Sequence, residues 1–567
     1  MIRRARPSAA CAGFLLAAVI GAAAPGAAAA GDAPASVTWE GAAPVRRAEW
    51  ELRLRRLAPA SPGAGLPLVV RVAVDAERQA AEQGDAAFAT WKVHRHRVEL
   101  RISADIPEEP DLLSPALASA RFLAAYPGAA RNAVLAAAFG AHRAGTWWGR
   151  PSSSWAPLLR EAGILPSPES LASPAGDSAS PSLLEVGAAA SALDAWARGE
   201  GERAVERAVG SGAAPLAILR RYLERASREP LPPTPARVLP AESLRGISFA
   251  MENSVEGSYL SRRSGETLAR LQRDGANAVS VIPYAFQRSR DAPELRFPGR
   301  NPRGETEEGV LRAAQDAHRR GLAVLLKPQI WLWRGFTGDI AMANDADWSA
   351  WFRNYRRYLI RFAAVAEAGR AEMFDVGVEL CATEKREREW RELIAAVRKA
   401  TSAPLVYSCN WGKGAEAVPF WDTLDAIGVD FYDPLSAANH PTDAELADGV
   451  RSATLPLARV AARTKKPVYL SEVGFPSVAG AWVSPHDEAS PRPYSASDPA
   501  RCARAVFSAL EDAPWFRGLF WWKAFSSGEE AAPGEKTFNV LGRPIEAAIR
   551  EGFQKMRARE SGKRPGI

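Results

Sequence analysis

From Leu244 onward, short apolar runs recur at regular intervals, separated by longer stretches whose apolar residues return at helical spacing. No other feature of this 567-residue chain constrains its fold as tightly. Eight runs read as strands: Leu244–Ala250, Ala276–Pro283, Leu322–Pro328, Met373–Leu380, Pro404–Asn410, Ala426–Tyr432, Pro467–Val473 and Gly518–Ala524. Helical periodicity covers Leu268–Arg273, Glu307–Arg320, Trp348–Glu367, Glu387–Lys399, Asp443–Arg463, Asp498–Glu511 and Pro544–Met556, with only a short stretch near Ala415–Trp421 between the fifth and sixth strands. Strands that are apolar on both faces need cover on both faces, which crossover helices supply in a parallel sheet. Eight strands alternating with helices over residues 243–557 therefore predict an α/β fold, a closed (β/α)8 barrel. An open doubly wound sheet carries a glycine-rich turn after its first strand, and here that position reads Met251-Glu252-Asn253-Ser254.

The chain ahead of the barrel differs in character. Arg3, Arg4 and Arg6 precede an apolar run over Ala9–Ala24 and then small residues through Ala30. Residues 1–30 read as a cleaved secretory signal, predicting a secreted or periplasmic protein. An uncleaved anchor would need a longer apolar run, and no later segment has one either. Residues 31–228 read as a smaller α+β accessory domain. Strand-like alternation marks Trp50–Leu54, Val69–Val74 and Val98–Ile102, followed by helical patterning over Leu113–His142, a loop over Pro166–Pro181, and helices near Leu183–Ala197 and Glu202–Ala226. This strand-then-helix order resembles the zinc-peptidase-like modules of some exported bacterial proteins, without their zinc motif. Residues 229–242 hold five prolines between Pro230 and Pro240 and form a stiff linker. Residues 558–567 are a tail.

Charge and cysteine usage exclude several functions. The net charge is +7, and removing the three signal arginines leaves 7 − 3 = +4, too mild for a nucleic-acid partner. Beyond Cys11, the cysteines Cys381, Cys409 and Cys502 are odd in number and lack C-x-x-C spacing, so no disulfide framework is expected, although one bridge stays open. The six histidines form neither H-x-x-x-H nor H-E-x-x-H, so neither a metal nor a cofactor is expected.

In such a barrel the reactive groups lie at the carboxyl ends of the strands. Read in order, these ends are Met251-Glu252-Asn253, Pro283-Tyr284, Lys327-Pro328-Gln329 with Trp331 and Trp333, Glu379, Asn410-Trp411, Asp430-Phe431-Tyr432, Ser471-Glu472-Val473-Gly474 and Trp521-Trp522-Lys523. Carboxylates end the fourth and seventh strands, on opposite sides of the ring. Aromatics end the second, third, fifth, sixth and eighth. Sugar rings offer apolar C–H faces to aromatic side chains and hydroxyls to polar ones, so a mouth of this composition suits a carbohydrate. Glu379 and Glu472 are the candidate catalytic pair. Tyr284, Asn253, Lys327, Gln329, Trp331, Asn410 and Trp411 are candidate sugar contacts, and for Lys327 a structural ion pair is an equal alternative.

Five segments in the right order resemble glycoside hydrolase family 113, the β-mannanase type. They are Leu244-Arg245-Gly246-Ile247-Ser248-Phe249, Leu326-Lys327-Pro328, Gly377-Val378-Glu379-Leu380, Gly428-Val429-Asp430-Phe431-Tyr432-Asp433-Pro434-Leu435 and Ser471-Glu472-Val473-Gly474-Phe475. The resemblance implies a retaining mechanism with Glu379 as acid/base and Glu472 as nucleophile. It also implies that Tyr432 contacts the nucleophile and that Trp522 lies beneath the reacting sugar. Val378 stands where many related sequences carry Asn, and Gln329 where His is frequent; these departures bear on the substrate more than on the reaction. A non-catalytic glycan-binding barrel and a transglycosylase acting on an envelope polysaccharide remain alternatives.

Overall fold

The computed structural model describes residues 36–40, 65–172, 182–212 and 215–563, together with residues 47, 50, 51 and 54. The expected signal over residues 1–30 lies outside the described residues. The C-terminal half is a closed parallel barrel of β1 (Leu244–Ala250), β2 (Ala278–Val281), β3 (Ala323–Leu326), β4 (Met373–Val378), β5 (Leu405–Asn410), β6 (Ala426–Phe431), β7 (Val468–Val473) and β8 (Phe516–Phe525), in that order around the ring. Its helices are α1 (Arg262–Arg273), α2 (Glu307–His318), α3 (Asp345–Ala368), α4 (Glu387–Ala400), the single turn α5 (Gly414–Ala417), α6 (Asp443–Thr464), α7 (Asp498–Leu510) and α8 (Pro544–Lys563). Local sequence starts several of them. Ser261, Thr306, Asn344 and Thr442 each accept a hydrogen bond from a backbone N–H of the first turn, and Thr442 and Glu445 complete a capping box.

β2 and β3 are shorter than the sequence suggests. Pro283 and Pro328 have no N–H to give to the ladder. Beyond them both chains resume as Tyr284–Gln287 and Gln329–Leu332, which pair in parallel and are joined by Leu295–Arg296. This three-stranded extension rises from one side of the barrel mouth and was not foreseen.

The barrel interior is layered. Its floor takes one side chain from each strand: Leu244, Ala278, Leu325, Met373, Val406, Ala426, Tyr469 and Phe520, all at most 3% exposed. Above it the interior turns polar, with Ser248, Ser280, Lys327, Asp375, Ser408, Asp430 and Ser471 completely buried. The two-residue period of a strand places Lys327 above Leu325, Asp375 above Met373 and Asp430 above Ala426.

The N-terminal half holds a four-stranded sheet ordered Ser36–Trp39, Leu68–Ala73, Val98–Ser103, Ala89–Val93, with only the last pair antiparallel. Several expectations are corrected here. Trp50, Glu51 and Leu54 are helical, not extended: Trp50 and Leu54 are both buried, and a four-residue interval is one helical face. The run Leu113–His142 is split by a 3-10 turn at Pro127–Arg131, after which Asn132 caps a second helix, Ala133–Ala144. Likewise Glu202–Ala226 divides into Glu202–Gly210 and Leu216–Ser227, with Pro215 ahead of the second. The loop expected over Pro166–Pro181 contains a short helix, Pro168–Ala172.

This half packs against the barrel helices through a continuous apolar core. Ion pairs join Asp105 to Arg312 and Glu185 to Arg357, and the Arg150 guanidinium donates to the Ala400 carbonyl at 2.9 Å. The proline-rich linker forms neither helix nor strand. It runs beneath the barrel, where the Arg237 N–H donates to Ser402 O at 2.7 Å and its guanidinium to Arg370 O at 2.9 Å. Cys381, Cys409 and Cys502 are free thiols. Among the described residues no helix is long and apolar enough to cross a membrane.

Candidate active site

Strands β3, β6 and β7 supply the centre of the site. Lys327, with no exposed surface, donates to Asp430 Oδ1 at 2.7 Å and to Glu472 Oε1 at 2.7 Å. Gln329 Nε2 donates to the same Glu472 oxygen at 2.7 Å, and the Tyr432 hydroxyl donates to Glu472 Oε2 at 2.9 Å. Ser471 Oγ donates to Asp430 Oδ1 at 2.9 Å. A regular β7 could not present both Ser471 and Glu472 inward. The register shift makes this possible: Val429 pairs with Leu470 but Asp430 with Glu472, leaving Ser471 as an extra residue.

β4 carries a second irregularity. Asp375 pairs with Val406 and Val378 with Ser408, again one residue too many. The chain then reaches Glu379 with φ 52°, a left-handed conformation that costs a residue with a side chain about 1–2 kcal/mol. The Glu379 N–H donates to Ser408 O at 2.8 Å. Backbone strain of this kind collects at functional positions.

One ammonium thus serves a centre crowded with carboxyl groups, and their protonation follows from that. Burial raises Glu379 to about 8, helped by the charge of Glu472 and opposed by Lys327. Burial likewise lifts Asp375 to about 7, against hydrogen bonds from Ser408 and Gly377, and holds Asp430 well above the ordinary carboxylate range. For Lys327 burial works against the charge, but Asp430, Glu472 and Asp375 overcome it and its affinity for a proton rises. Burial first, then Glu472, keeps Tyr432 a neutral hydroxyl donor.

A stability consequence follows. The Glu379 carboxyl titrates near its ordinary 4.5 when unfolded and about 8 when folded, so the folded state retains a proton that the unfolded chain releases between these values. This contribution is full below 4.5 and is lost as pH rises towards 8. Glu379→Gln removes the loss. Its thermal midpoint should match that of the unsubstituted protein near pH 4 and exceed it above pH 8. Midpoints that coincide at every pH would contradict the protonation assigned to Glu379.

The rim holds the aromatics. Tyr284 meets Trp331 edge-on at 5.9 Å, and Trp411 stacks on His486 at 5.6 Å. The Lys523 ammonium lies 4.9 Å from the centre of the Trp522 ring, and burial lowers its proton affinity despite Glu488 and Glu472. Asn410 ends β5 opposite Asp430, its Oδ1 accepting from the Trp411 N–H at 3.0 Å. Asn253 is exposed in the loop after β1 and bonds to none of the central groups. Lys327 has no exposed surface and its ammonium is taken up by Asp430 and Glu472, so of the two expectations for it the geometry favours the structural ion pair over a sugar contact. Asp430 and Asp375, with their partners Ser471 and Ser408, are central residues that sequence reasoning passed over. Counting in twos from the apolar residues of β4 and β6 would have found both carboxylates.

A (β/α)8 barrel with glutamates at the ends of β4 and β7, one locked by donors and the other prone to keep its proton, is the framework of the barrel glycoside hydrolases. The model of Glycoside Hydrolase Family 113 matches residues 247–543, and the chain belongs to that family. Among solved structures, the GH113 β-mannanase AaManA from Alicyclobacillus acidocaldarius, in complex with ManMIm, shares 27% identity with a TM-score of 0.50, over 56% of this chain and 98% of that one. A GH113 β-1,4-mannanase shares 25% identity with a TM-score of 0.50, over 55% and 99%. No curated protein matches.

Proposed function

We propose that this chain is an exported, retaining hydrolase of β-linked mannan or a closely related polysaccharide, with Glu472 as nucleophile and Glu379 as acid/base. The observation that carries the reading is the asymmetry of the pair. Glu472 accepts three hydrogen bonds, one from a buried ammonium, while Glu379 keeps its proton up to about pH 8. One carboxyl group that keeps its proton and a second held in place by three donors are what acid-assisted displacement at an anomeric carbon requires. A Glu472 oxygen attacks the anomeric carbon as the Glu379 proton passes to the glycosidic oxygen, and the C–O bond breaks. Glu379, now a carboxylate, takes a proton from water. That water attacks the same carbon and frees Glu472.

Membership of family 113 and the solved β-mannanases at 25–27% identity support mannan as the substrate. The basic, apolar and small-residue run over residues 1–30 supports export. The test is a screen of the purified protein on β-mannan, xylan, β-glucan and bacterial envelope polysaccharides, with Glu379→Gln as control. Release of mannooligosaccharides by the unsubstituted protein alone is expected. Proton NMR of the first product should show the β-anomer before mutarotation; an initial α-anomer would exclude the covalent route.

A further inference from the structure

We infer that the extension above the barrel mouth is a stacking platform for a polysaccharide chain, with Phe286, Trp331 and Trp333 as its surface. The inference shares with the proposed function the premise that the cleft takes a carbohydrate. Eight large hydrophobic side chains are exposed among the described residues, and four of them, Phe286, Trp331, Trp333 and Phe336, belong to this extension or the loop leaving it. Trp331 is 54% and Trp333 72% exposed. Concentrated apolar surface left facing water marks a binding surface.

Strand alternation arranges the row. Ile330 and Leu332 point down into the protein, which leaves Gln329, Trp331 and Trp333 on the upper face. On the neighbouring strand Ala285 and Gln287 are buried, and Tyr284 and Phe286 point up. The register sets Gln329 opposite Tyr284 and Trp331 opposite Phe286. Upward-facing residues are about 6.6 Å apart along a strand. The row begins at Gln329, whose amide donates to Glu472 Oε1 at 2.7 Å, so it leads outward from the proposed nucleophile without a break.

The platform is held from below. The Tyr358 hydroxyl donates to Pro283 O at 2.8 Å and Gln329 O at 3.1 Å, and Trp351 Nε1 donates to Gln287 Oε1 at 3.0 Å. Tyr284 fixes Trp331 edge-on. A rigid, linear row of rings continuous with the cleft fits a repeating chain of sugar rings, each with an apolar face, better than it fits a rounded protein surface. Such a platform favours long chains over short ones and cleavage at internal bonds.

The test is binding without turnover. Glu472→Gln protein is run in native gels containing soluble β-mannan, hydroxyethyl cellulose or xylan, and compared with the same protein also carrying Phe286→Ala and Trp333→Ala. At least one polymer should retard the first protein, and losing two exposed rings should weaken binding by about tenfold or more. Equal retardation of both proteins, at equal thermal midpoints, would overturn the platform. So would no retardation of the first protein by any polymer, or a dimer of it that dissociates on removing the two rings. Turnover of mannotriose by the unsubstituted protein would still uphold the catalytic reading in those cases. Retardation without any hydrolysis by the unsubstituted protein would uphold the platform and reject that reading.

Discussion

Glu472→Ala is expected to lower kcat on any substrate the protein cleaves by about 10⁴-fold or more, the scale seen when a group that forms the covalent intermediate is removed. The fold should survive, because Lys327 keeps Asp430 as a partner at 2.7 Å and Tyr432 and Gln329 lie nearer the mouth. Kinetics and thermal unfolding on one preparation separate the two effects. Activity within tenfold of the unsubstituted protein would remove Glu472 from the mechanism. Glu379→Gln gives the contrasting result. It should be most damaging where the leaving oxygen needs a proton and mildest on aryl glycosides, whose leaving group departs unaided.

Lys327→Met should cost about 3–5 kcal/mol of stability, the usual cost of breaking a buried ion pair from one side. Its ammonium is the partner of two carboxylates, and its removal leaves Asp430 and Glu472 facing each other in the barrel interior. Burial already holds Asp430 well above the ordinary carboxylate range, so proton uptake there can relieve the repulsion. Glu472 still loses the ammonium that fixes its Oε1 at 2.7 Å, so activity should fall with stability. Adding Asp430→Asn to Lys327→Met should recover part of the stability and none of the activity. Denaturant midpoints read the first effect and single-turnover rates the second. An unchanged midpoint in Lys327→Met would show that the ammonium is not holding the centre together.

The barrel was legible because its strands are apolar on both faces and end abruptly in polar residues. Glu379 and Glu472 could be named because each follows such a run. What made them converge was not legible: the extra residues in β4 and β7 leave no mark in the sequence, although they determine which way these glutamates face. Asp375 was hidden for a related reason. Within Met373–Val378 it looks like an interruption of a strand, and only its partners on β5 and at Gly377 explain it. The N-terminal half was read less well because its short elements satisfy two periodicities at once. Trp50 and Leu54 lie on one face in either a strand or a helix, and burial against neighbours distant in sequence decided for the helix.

The eight side chains that plug the barrel base have a consequence for proton traffic. With Tyr469 and Phe520 filling the space that Ala278 and Ala426 leave, the vessel opens at one end only. Hydronium, water and products share a single doorway. If a polymer lies across it, as the proposed function has it, the attacking water must enter and the protonated leaving group must depart through that same opening, and the charge state with which a turnover begins is the one set before the substrate arrived.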